Sequence, residues 1–443
     1  MSATANKSKD PRIPVTILTG FLGSGKTTLL NYILEDPNHG LRFAIIENEF
    51  GAVSVDSKIL SEKTEGDELI EVMNGCICCT VRGDLVEALK RLYSKIEDFD
   101  AIIIETTGMA DPAPVAQTFF IDEEINAKFI LDGIITVVDS KNILTRLDEQ
   151  KPDGVVNEAV QQVAFADKIL VNKIDLVDRK VLPDIEARLR GINPTAKTVR
   201  CQQSQVEPLT LINIKAFTLN NVTMHTPEFL ENEIKTKHDP TIDSLALTFD
   251  GCLNINMLKE LIHDLIENLG ANLYRYKGVL NVAGMEYKFV FQGVGMLFSG
   301  NFTAKWEASE ERKNSFVFIG KGLNKKTLTD SFMACQCSPS LRFKVGDIIL
   351  CKTGCDDHHH GEEHNHDEDH QVHDHSHSLD EKESLPKHDE KDARLAQNHS
   401  HWTKGKIVKL WDQGNPYRIE LDNEEKRNVW GPIDADDYVK KVQ

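Results

Sequence analysis

The sequence predicts an α/β fold with a mainly parallel sheet, followed by an α+β domain and a small β-barrel that a histidine-rich loop interrupts. Three observations support this: unbroken apolar runs alternate with helical patterns, a glycine-rich turn follows the first run, and shorter strands dominate the end of the chain. Unbroken apolar runs are typical of parallel strands that are covered on both faces. The runs lie at residues 14–18, 43–46, 101–104, 134–138 and 168–171.

Changes in composition divide the chain into segments. We predict a flexible N-terminus at 1–12, the α/β domain at 13–220, a linker at 221–240, the α+β domain at 241–337 and the barrel at 341–443, with its histidine-rich insert at 356–401. The α+β assignment rests on an amphipathic helix at 257–269 and apolar runs at 244–249, 287–291 and 316–319. The barrel assignment rests on short strands such as 405–410 and 417–421.

The overall charge limits the classes of partner. The 443 residues include 51 basic and 70 acidic side chains, a net charge of −19 at neutral pH, with no basic cluster. Such a chain repels nucleic acid. No apolar run approaches the ~18 residues of a membrane-spanning helix, and residues 1–13 lack the apolar core of a secretory signal. We therefore expect a cytoplasmic protein without a membrane partner, whose nine cysteines serve metal or redox chemistry rather than disulfides.

Residues 20–27 read Gly-Phe-Leu-Gly-Ser-Gly-Lys-Thr and fit the pattern G-x-x-x-x-G-K-[ST] between a predicted strand and a helical run. This pattern identifies a P-loop, in which backbone amides surround phosphates, Lys26 contacts the β and γ oxygens and Thr27 offers its hydroxyl to Mg²⁺. A chance glycine-rich turn would leave the lysine and the threonines unexplained. The residues predicted to bind nucleotide here are Gly20, Gly23, Ser24, Gly25, Lys26, Thr27 and Thr28.

A carboxylate follows the apolar run at 101–104, in the sequence Glu105-Thr106-Thr107-Gly108. Ligands of parallel sheets bind at the carboxyl ends of the strands. Glu105 is therefore expected to orient Mg²⁺ through water or to polarise the attacking water, and the Gly108 amide to sense a γ-phosphate. We predict Lys26 and Glu105 as the catalytic pair.

The run at 168–171 leads into Asn172-Lys173-Ile174-Asp175, which matches the guanine-reading sequence N-K-x-D. The Asp175 carboxylate would accept hydrogen bonds from the N1–H and the exocyclic amine of guanine, a pair of donors that adenine lacks. The alternative is a polar helix start with Asp175 as N-cap. The position of the motif after the P-loop favours GTP as the nucleotide.

Three cysteines, Cys76, Cys78 and Cys79, lie within four residues between the P-loop and Glu105. Three thiolates hold one borderline ion, with Zn²⁺ favoured, and leave a fourth position for water, a protein side chain or a recipient protein. The alternatives are small buried residues at a tight turn and a redox pair. A disulfide between the adjacent Cys78 and Cys79 would be strained, which disfavours the redox pair.

Taken in order, these motifs resemble the CobW-type P-loop GTPase metallochaperones, over residues ~13 to 336. The resemblance includes Glu47-Asn48-Glu49-Phe50-Gly51 and a C-terminal domain at 238–336. It implies a P-loop NTPase domain, GTP hydrolysis with Mg²⁺, and Zn²⁺ held for transfer by the three cysteines. It also implies that 47–51 is a nucleotide-sensitive switch, with Glu47 and Glu49 as further candidate ligands. Where many relatives read Gln-Gly-Val-His, this chain has Gly295, so any role of that histidine is lost.

The insert holds nine histidines within 20 residues, which favours reversible, low-affinity collection of divalent metal over a solvated acidic linker. They are His358, His359, His360, His364, His366, His370, His373, His375 and His377. Four further cysteines, Cys335, Cys337, Cys351 and Cys355, bracket the approach to the insert. They could form another zinc site, but small residues at a domain edge are the favoured interpretation. The terminal barrel resembles SH3-like modules, and its tryptophans and Tyr417 either recruit a client or form its core.

The sequence thus predicts a GTP-hydrolysing metallochaperone that delivers Zn²⁺, or a similar divalent metal, to a client apo-metalloprotein. The alternatives are a passive zinc store, a signalling GTPase without metal, and a cobalt-handling GTPase of cobalamin-type metabolism. The sequence leaves the metal, the client, a homodimeric state and the role of the barrel open.

Overall fold

The computed structural model describes residues 12–35, 42–47, 69–71, 80–93, 99–152, 155–217, 242–354, 400–424 and 426–442. These residues form two compact units. The first unit takes the described residues of Met1–Gly251, Glu260–Leu280 and Lys288–Ala334. The second takes those of Cys252–Lys259, Asn281–Tyr287 and Cys335–Gln443.

A seven-stranded parallel sheet forms the centre of the first unit and confirms the predicted α/β class. Its strands are β1 Ile13–Thr19, β2 Phe43–Glu47, β3 Leu69–Glu71, β4 Ala101–Glu105, β5 Phe129–Asp139, β6 Lys168–Asn172 and β7 Lys197–Arg200. They lie in the order β3-β2-β4-β1-β5-β6-β7, with every neighbouring pair parallel. The sequence analysis did not identify β3 or β7, which are only 3 and 4 residues long.

The unbroken apolar runs arise because each central strand is buried on both faces. In β4, Ile102 and Ile104 belong to one hydrophobic cluster, whereas Ile103 belongs to another on the opposite face. Side chains alternate between faces along a strand, so burial of both faces removes the polar alternation of a half-exposed strand.

Helices connect the parallel strands of the first unit and continue into its C-terminal part. They are α1 Lys26–Glu35, α2 Thr80–Tyr93, α3 Ala113–Ile121, α4 Glu123–Lys128, α5 Ile143–Leu147, α6 Glu158–Phe165, α7 Leu182–Ile192, α8 Ile255–Leu269 and α9 Lys325–Ala334. Side-chain caps fix two of their starts: Asp122 accepts a hydrogen bond from the Ile125 amide at 3.1 Å, and Asn157 accepts one from Val160 at 3.2 Å. Such caps satisfy amides that have no partner within the helix.

A second sheet, of five strands in the order β12-β11-β10-β13-β8, gives the expected α+β part of the chain. The strands from this part are β8 Asp243–Phe249, β9 Cys252–Leu253, β10 Leu273–Leu280, β11 Tyr287–Val294, β12 Leu297–Lys305 and β13 Asn314–Gly320. Aromatic rings pack against this sheet; the centroids of Phe316 and Phe332 lie 4.1 Å apart. Gly295, at the turn between β11 and β12, has φ +59°, a conformation that disfavours a histidine there.

The strands predicted near the end of the chain form a five-stranded antiparallel sheet in the second unit. Its order is β18-β17-β16-β15-β19, while β14 pairs with β9 instead. The strands are β14 Gln336–Cys337, β15 Ile348–Gly354, β16 Ser400–Asp412, β17 Asn415–Leu421, β18 Asn428–Gly431 and β19 Val439–Lys441. Tyr417 is fully buried in the core of this sheet, as expected if the aromatic residues of this segment form its core. Trp402, in contrast, is 38% exposed.

A buried ion cluster joins the two sheets of the first unit. The Asp167 carboxylate, just before β6, accepts hydrogen bonds from Arg275 at 2.7 Å and Lys277 at 3.0 Å, both on β10. It also accepts one from the Ile134 amide at 3.0 Å. Burial opposes ionisation of Asp167, but the charges of Arg275 and Lys277 outweigh it and hold its pKa below the usual value. The Arg275 guanidinium further packs 4.0 Å from the ring centroid of Phe217.

We expect Asp167→Asn to destabilise the first unit strongly, because it leaves two buried cations without their counter-charge. Breaking a buried ion pair from one side costs about 3–5 kcal/mol. Glu87→Gln is the matched control, since it removes an exposed pair with Arg91, and such pairs contribute about 0.3–0.5 kcal/mol. The midpoint of urea unfolding, followed by circular dichroism, compares the two variants. Equal midpoints would show that the cluster does not hold the unit together.

Candidate nucleotide site

The backbone of the P-loop requires its glycines. Gly20, Gly23 and Gly25 have φ values of +142°, +79° and +110°, which L side chains rarely adopt. A Cβ at Gly20 would lie 2.2 Å from the Val137 carbonyl oxygen, and one at Gly25 would lie 2.4 Å from the Asn172 side-chain nitrogen. The loop therefore packs closely on β5 and on the end of β6.

Lys26 and Glu105, the predicted catalytic pair, lie close together at the carboxyl edge of the sheet. The Lys26 ammonium donates to the Gly20 carbonyl at 2.8 Å and lies 3.9 Å from the Glu105 carboxylate. The pairing of β1 with β4 sets Leu18 opposite Glu105, so the loop and helix that follow β1 bring Lys26 to the end of β4. Thr27 is half-buried and Thr28 is exposed at the first turn of α1.

The segment after Glu105 packs on the P-loop. A Cβ at Gly108 would lie 2.5 Å from the Leu22 amide nitrogen, so this position needs a glycine. Three hydroxyls around the loop are buried without a hydrogen-bond partner among the described residues, namely those of Thr19, Ser24 and Thr107. Buried polar atoms normally have partners, so these hydroxyls fit a site that receives phosphate oxygens, Mg²⁺ and water.

The Asn172-Lys173-x-Asp175 motif is tied to the P-loop by its first two side chains. The Asn172 amide donates to the Ser24 carbonyl at 3.0 Å, and the Lys173 ammonium donates to the Gly23 carbonyl at 2.6 Å. Lys173 itself has φ +59° and begins the short 3₁₀ helix Ile174–Leu176, on which Asp175 is exposed. The motif therefore fixes its own backbone against the phosphate loop and leaves the Asp175 carboxylate available to a base.

Two residues of this network were missed by the sequence analysis. Ser204 accepts a hydrogen bond from the Asn172 amide at 2.8 Å, and its hydroxyl donates to the Gly25 carbonyl at 2.9 Å. Asp139 accepts one from Lys173 at 2.9 Å. Burial disfavours the charge of Asp139, but hydrogen bonds from Lys173 and Asn142 outweigh it and lower its pKa. The position of Asp139, at the end of an apolar run, could have signalled this role.

The edge also aligns three glutamates. Glu71 on β3 is opposite Glu47 on β2, and Glu47 is opposite Glu105 on β4. The side chain of Glu47 lies outside the described residues, as do Glu49, Cys355 and the nine histidines at 358–377. Cys76, Cys78 and Cys79 lie outside them too, in the sequence between β3 and α2.

The remaining predicted metal positions give no cluster. Among the residues that the structure describes, no group of three or more His, Cys, Asp or Glu side chains is placed to hold a metal ion. Burial raises the pKa of Cys351 to about 11. The interpretation of Cys335, Cys337 and Cys351 as small residues at a domain edge stays a prediction.

No helix within the described part of the chain is both long enough and apolar enough to cross a membrane.

Comparison with known proteins identifies two family segments. Residues 14–200 match the CobW/HypB/UreG nucleotide-binding domain, and residues 242–336 match the cobalamin synthesis protein cobW C-terminal domain. The first segment contains the P-loop, Glu105 and the Asn172 motif. The second segment contains the antiparallel sheet of the first unit.

Several curated proteins are similar over most of the chain. The zinc chaperone YjiA of Escherichia coli is 35% identical over 72% of this chain and 98% of its own length. The zinc-regulated GTPase metalloprotein activator 1 of Schizosaccharomyces pombe is 36% identical over 56% of this chain and 59% of its own. The crystal structure of the Zn(II)-bound YjiA GTPase superposes with a TM-score of 0.60, at 31% identity, over 74% of this chain and 99% of that one.

We expect Ser204→Ala to weaken guanine-nucleotide binding, because its hydroxyl links the Gly25 carbonyl to Asn172. Loss of two neutral hydrogen bonds corresponds to about a 5- to 50-fold increase in Kd. Thr210→Ala is the control, since the Thr210 hydroxyl bonds only the nearby Glu207 carbonyl on the surface. Titration with a fluorescent GDP analogue measures both. An unchanged Kd for Ser204→Ala would show that the Ser204 hydroxyl does not support nucleotide binding.

Proposed function

Because the chain belongs to the CobW family, we propose that it is a GTP-hydrolysing metallochaperone that binds Zn²⁺ and delivers it to a client apo-metalloprotein. The observation that carries the proposal is the meeting of the P-loop, Glu105 and the Asn172 motif at one edge of the parallel sheet. The cysteines Cys76, Cys78 and Cys79 follow β3 of the same sheet in the sequence. We place this activity in the cytoplasm.

The phosphate end of the site acts through charge and backbone amides. The Lys26 ammonium, held by the Gly20 carbonyl, is positioned to reach the β and γ oxygens of GTP. Thr27 and Glu105 would hold Mg²⁺, which when bound neutralises charge on the phosphates. Glu105 also orients the attacking water, and the Gly108 amide detects the γ-phosphate. We expect slow intrinsic hydrolysis that metal or client accelerates.

Base selection rests on Asp175. Its carboxylate accepts hydrogen bonds from the N1–H and exocyclic amine of guanine, while Asn172 and Lys173 hold the backbone of the motif in place. The site thus favours GTP over ATP.

Zinc handling is coupled to the nucleotide through the glutamate row. Glu105 lies at the edge of the sheet where the nucleotide would bind. Glu47 lies in register beside it and begins the proposed switch at 47–51, and Glu71 ends the strand that precedes the cysteines. A γ-phosphate that fixes the position of Glu105 therefore alters the neighbouring strand ends at Glu47 and Glu71. Because binding free energies are reciprocal, zinc must then alter GTP affinity by the same factor. Glu47 and Glu49 serve as further ligands.

Zinc is preferred over cobalt because the similar proteins are named zinc chaperones. A passive store is disfavoured by the complete nucleotide site, which storage does not require. The histidines at 358–377 would collect metal, and the sheet of the second unit would contact the client.

We expect Asp175→Asn to lose affinity for GDP and gain affinity for xanthosine diphosphate. The amide donates to the 2-carbonyl of xanthine where the carboxylate accepted from the amine of guanine. A mismatched polar contact of this kind lowers the affinity on the order of 100-fold. Asp178→Asn, on the exposed turn that follows, should bind like the parent. Competition binding with both diphosphates tests this prediction. An unchanged preference for GDP in Asp175→Asn would show that Asp175 does not select the base.

We expect zinc affinity to differ by tenfold or more between the GDP state and a non-hydrolysable GTP analogue, about 1.4 kcal/mol of coupling. The measurement uses competition with a chromophoric chelator on a chain in which residues 356–399 are replaced by a short turn. Gly354 and Ser400 are paired in the antiparallel ladder, so a short turn can join them.

In Cys78→Ser the difference should disappear, whereas Cys351→Ser, which changes a buried thiol of the second unit, should retain it. Equal zinc affinity in both nucleotide states would show a GTPase that carries an independent metal store.

A further inference from the structure

Two cysteines of the second unit face each other across the short ladder of β9 and β14. Cys337 is the direct antiparallel partner of Cys252, and Gln336 is the partner of Leu253. Directly opposed residues of such a ladder have Cα atoms about 4.5–5.5 Å apart, within the 4.4–6.8 Å that a disulfide spans. The Cys252 thiol contacts the Cys337 carbonyl at 3.2 Å, and the Cys337 thiol contacts the Cys252 carbonyl at 3.8 Å. The two sulfur atoms therefore lie over the same short ladder.

The environment of this pair differs from that of the other buried thiols. A hydrogen bond from Cys337 lowers the pKa of Cys252, and the same interaction raises the pKa of Cys337. In contrast, burial alone raises the pKa of Cys201 to about 12 and that of Cys351 to about 11. Thiolates, not thiols, are the nucleophiles of cysteine chemistry. The two thiols share one interaction across the ladder, and the half-exposed Cys337 makes the pair accessible from solvent, whereas Cys252 is buried.

We propose that Cys252 and Cys337 are a redox site, which a hydroperoxide oxidises to a disulfide and a thiol reduces again. The thiolate of one cysteine attacks one peroxide oxygen, the O–O bond breaks, and that cysteine becomes a sulfenic acid while hydroxide or alkoxide leaves. The sulfur of the other cysteine then attacks the sulfenic sulfur, the S–S bond forms, the S–O bond breaks, and the thiol proton leaves with the hydroxyl as water. The protein loses two electrons and the hydroperoxide gains them.

The disulfide would tie together the two ends of the α+β segment. The two cysteines are 85 positions apart in the sequence, before α8 and after α9. The adjoining backbone is already joined, since the Asn254 amide donates to the Cys335 carbonyl at 2.9 Å. The Asn254 side chain also donates to the Pro432 carbonyl at 2.8 Å, near the end of the terminal sheet. Oxidation therefore crosslinks two segments of the second unit, and it does so without Cys76, Cys78 or Cys79.

The test is disulfide mapping of the full-length chain after treatment with hydrogen peroxide. Trypsin separates Cys252, on residues 238–259, from Cys337, on residues 327–342. We expect these two peptides to be linked in the oxidised chain and separated by dithiothreitol. Fragment spectra distinguish Cys337 from Cys335 on the second peptide, so the parent chain alone gives an answer. The thermal midpoint should rise on the order of 5 °C on oxidation, because the crosslink closes a long loop.

Matched variants sharpen the test. The link should persist in Cys335→Ser and Cys351→Ser and be lost in Cys252→Ser and Cys337→Ser. If peroxide links other cysteines but never these two, the proposal is wrong. It is also wrong if one equivalent of Zn²⁺ protects both thiols from alkylation in a chain with Cys76, Cys78 and Cys79 changed to Ser, because the pair would then be a metal site. Neither result bears on zinc delivery through the cysteines at 76–79.

Discussion

The nucleotide site depends on one amide side chain, that of Asn172. Its nitrogen donates to the Ser24 carbonyl and to Ser204, and its oxygen accepts from the Ser204 amide at 2.9 Å. All of these groups are buried, so each would be costly to leave without a partner. The phosphate loop and the turn that carries Asp175 are thereby held in a fixed position relative to each other. This arrangement requires glycine at position 25, because any Cβ there would strike Asn172.

The parallel strands explain how distant parts of the sequence come together at the nucleotide site. Each strand brings its last residue, or the residue directly after it, to the same edge, which places Gly20, Glu105, Asp139 and Asn172 together although they span some 150 positions. Lysines at the same edge neutralise the carboxylates: Lys173 donates a hydrogen bond to Asp139, and the Lys26 ammonium lies 3.9 Å from the Glu105 carboxylate. A site so built already has its charges in place before a ligand arrives, which reduces the reorganisation that binding and catalysis require.

The central strands, the P-loop and the base motif could be predicted because their signals are local. An apolar run and a glycine spacing follow from the residues themselves. Strand β10 could not be predicted in this way, since it contains Arg275 and Lys277, and charged residues normally indicate an exposed surface. Asp167, 108 positions away from Arg275, supplies the negative charge that both side chains contact. Ser204 was missed for the same reason: its partners Asn172 and Gly25 are distant in sequence, and the short β7 before it gives a weak pattern.

Strand β6 connects these two nonlocal networks. It begins directly after Asp167, whose carboxylate holds the antiparallel sheet, and it ends at Asn172, whose amide holds the phosphate loop. Its five residues span about 16 Å, and Ile169, Leu170 and Val171 are fully buried. A strand that is buried and hydrogen-bonded on both sides does not bend independently of its ends. The ion cluster that holds the antiparallel sheet and the amide that holds the phosphate loop are therefore carried by the two ends of one short, buried strand.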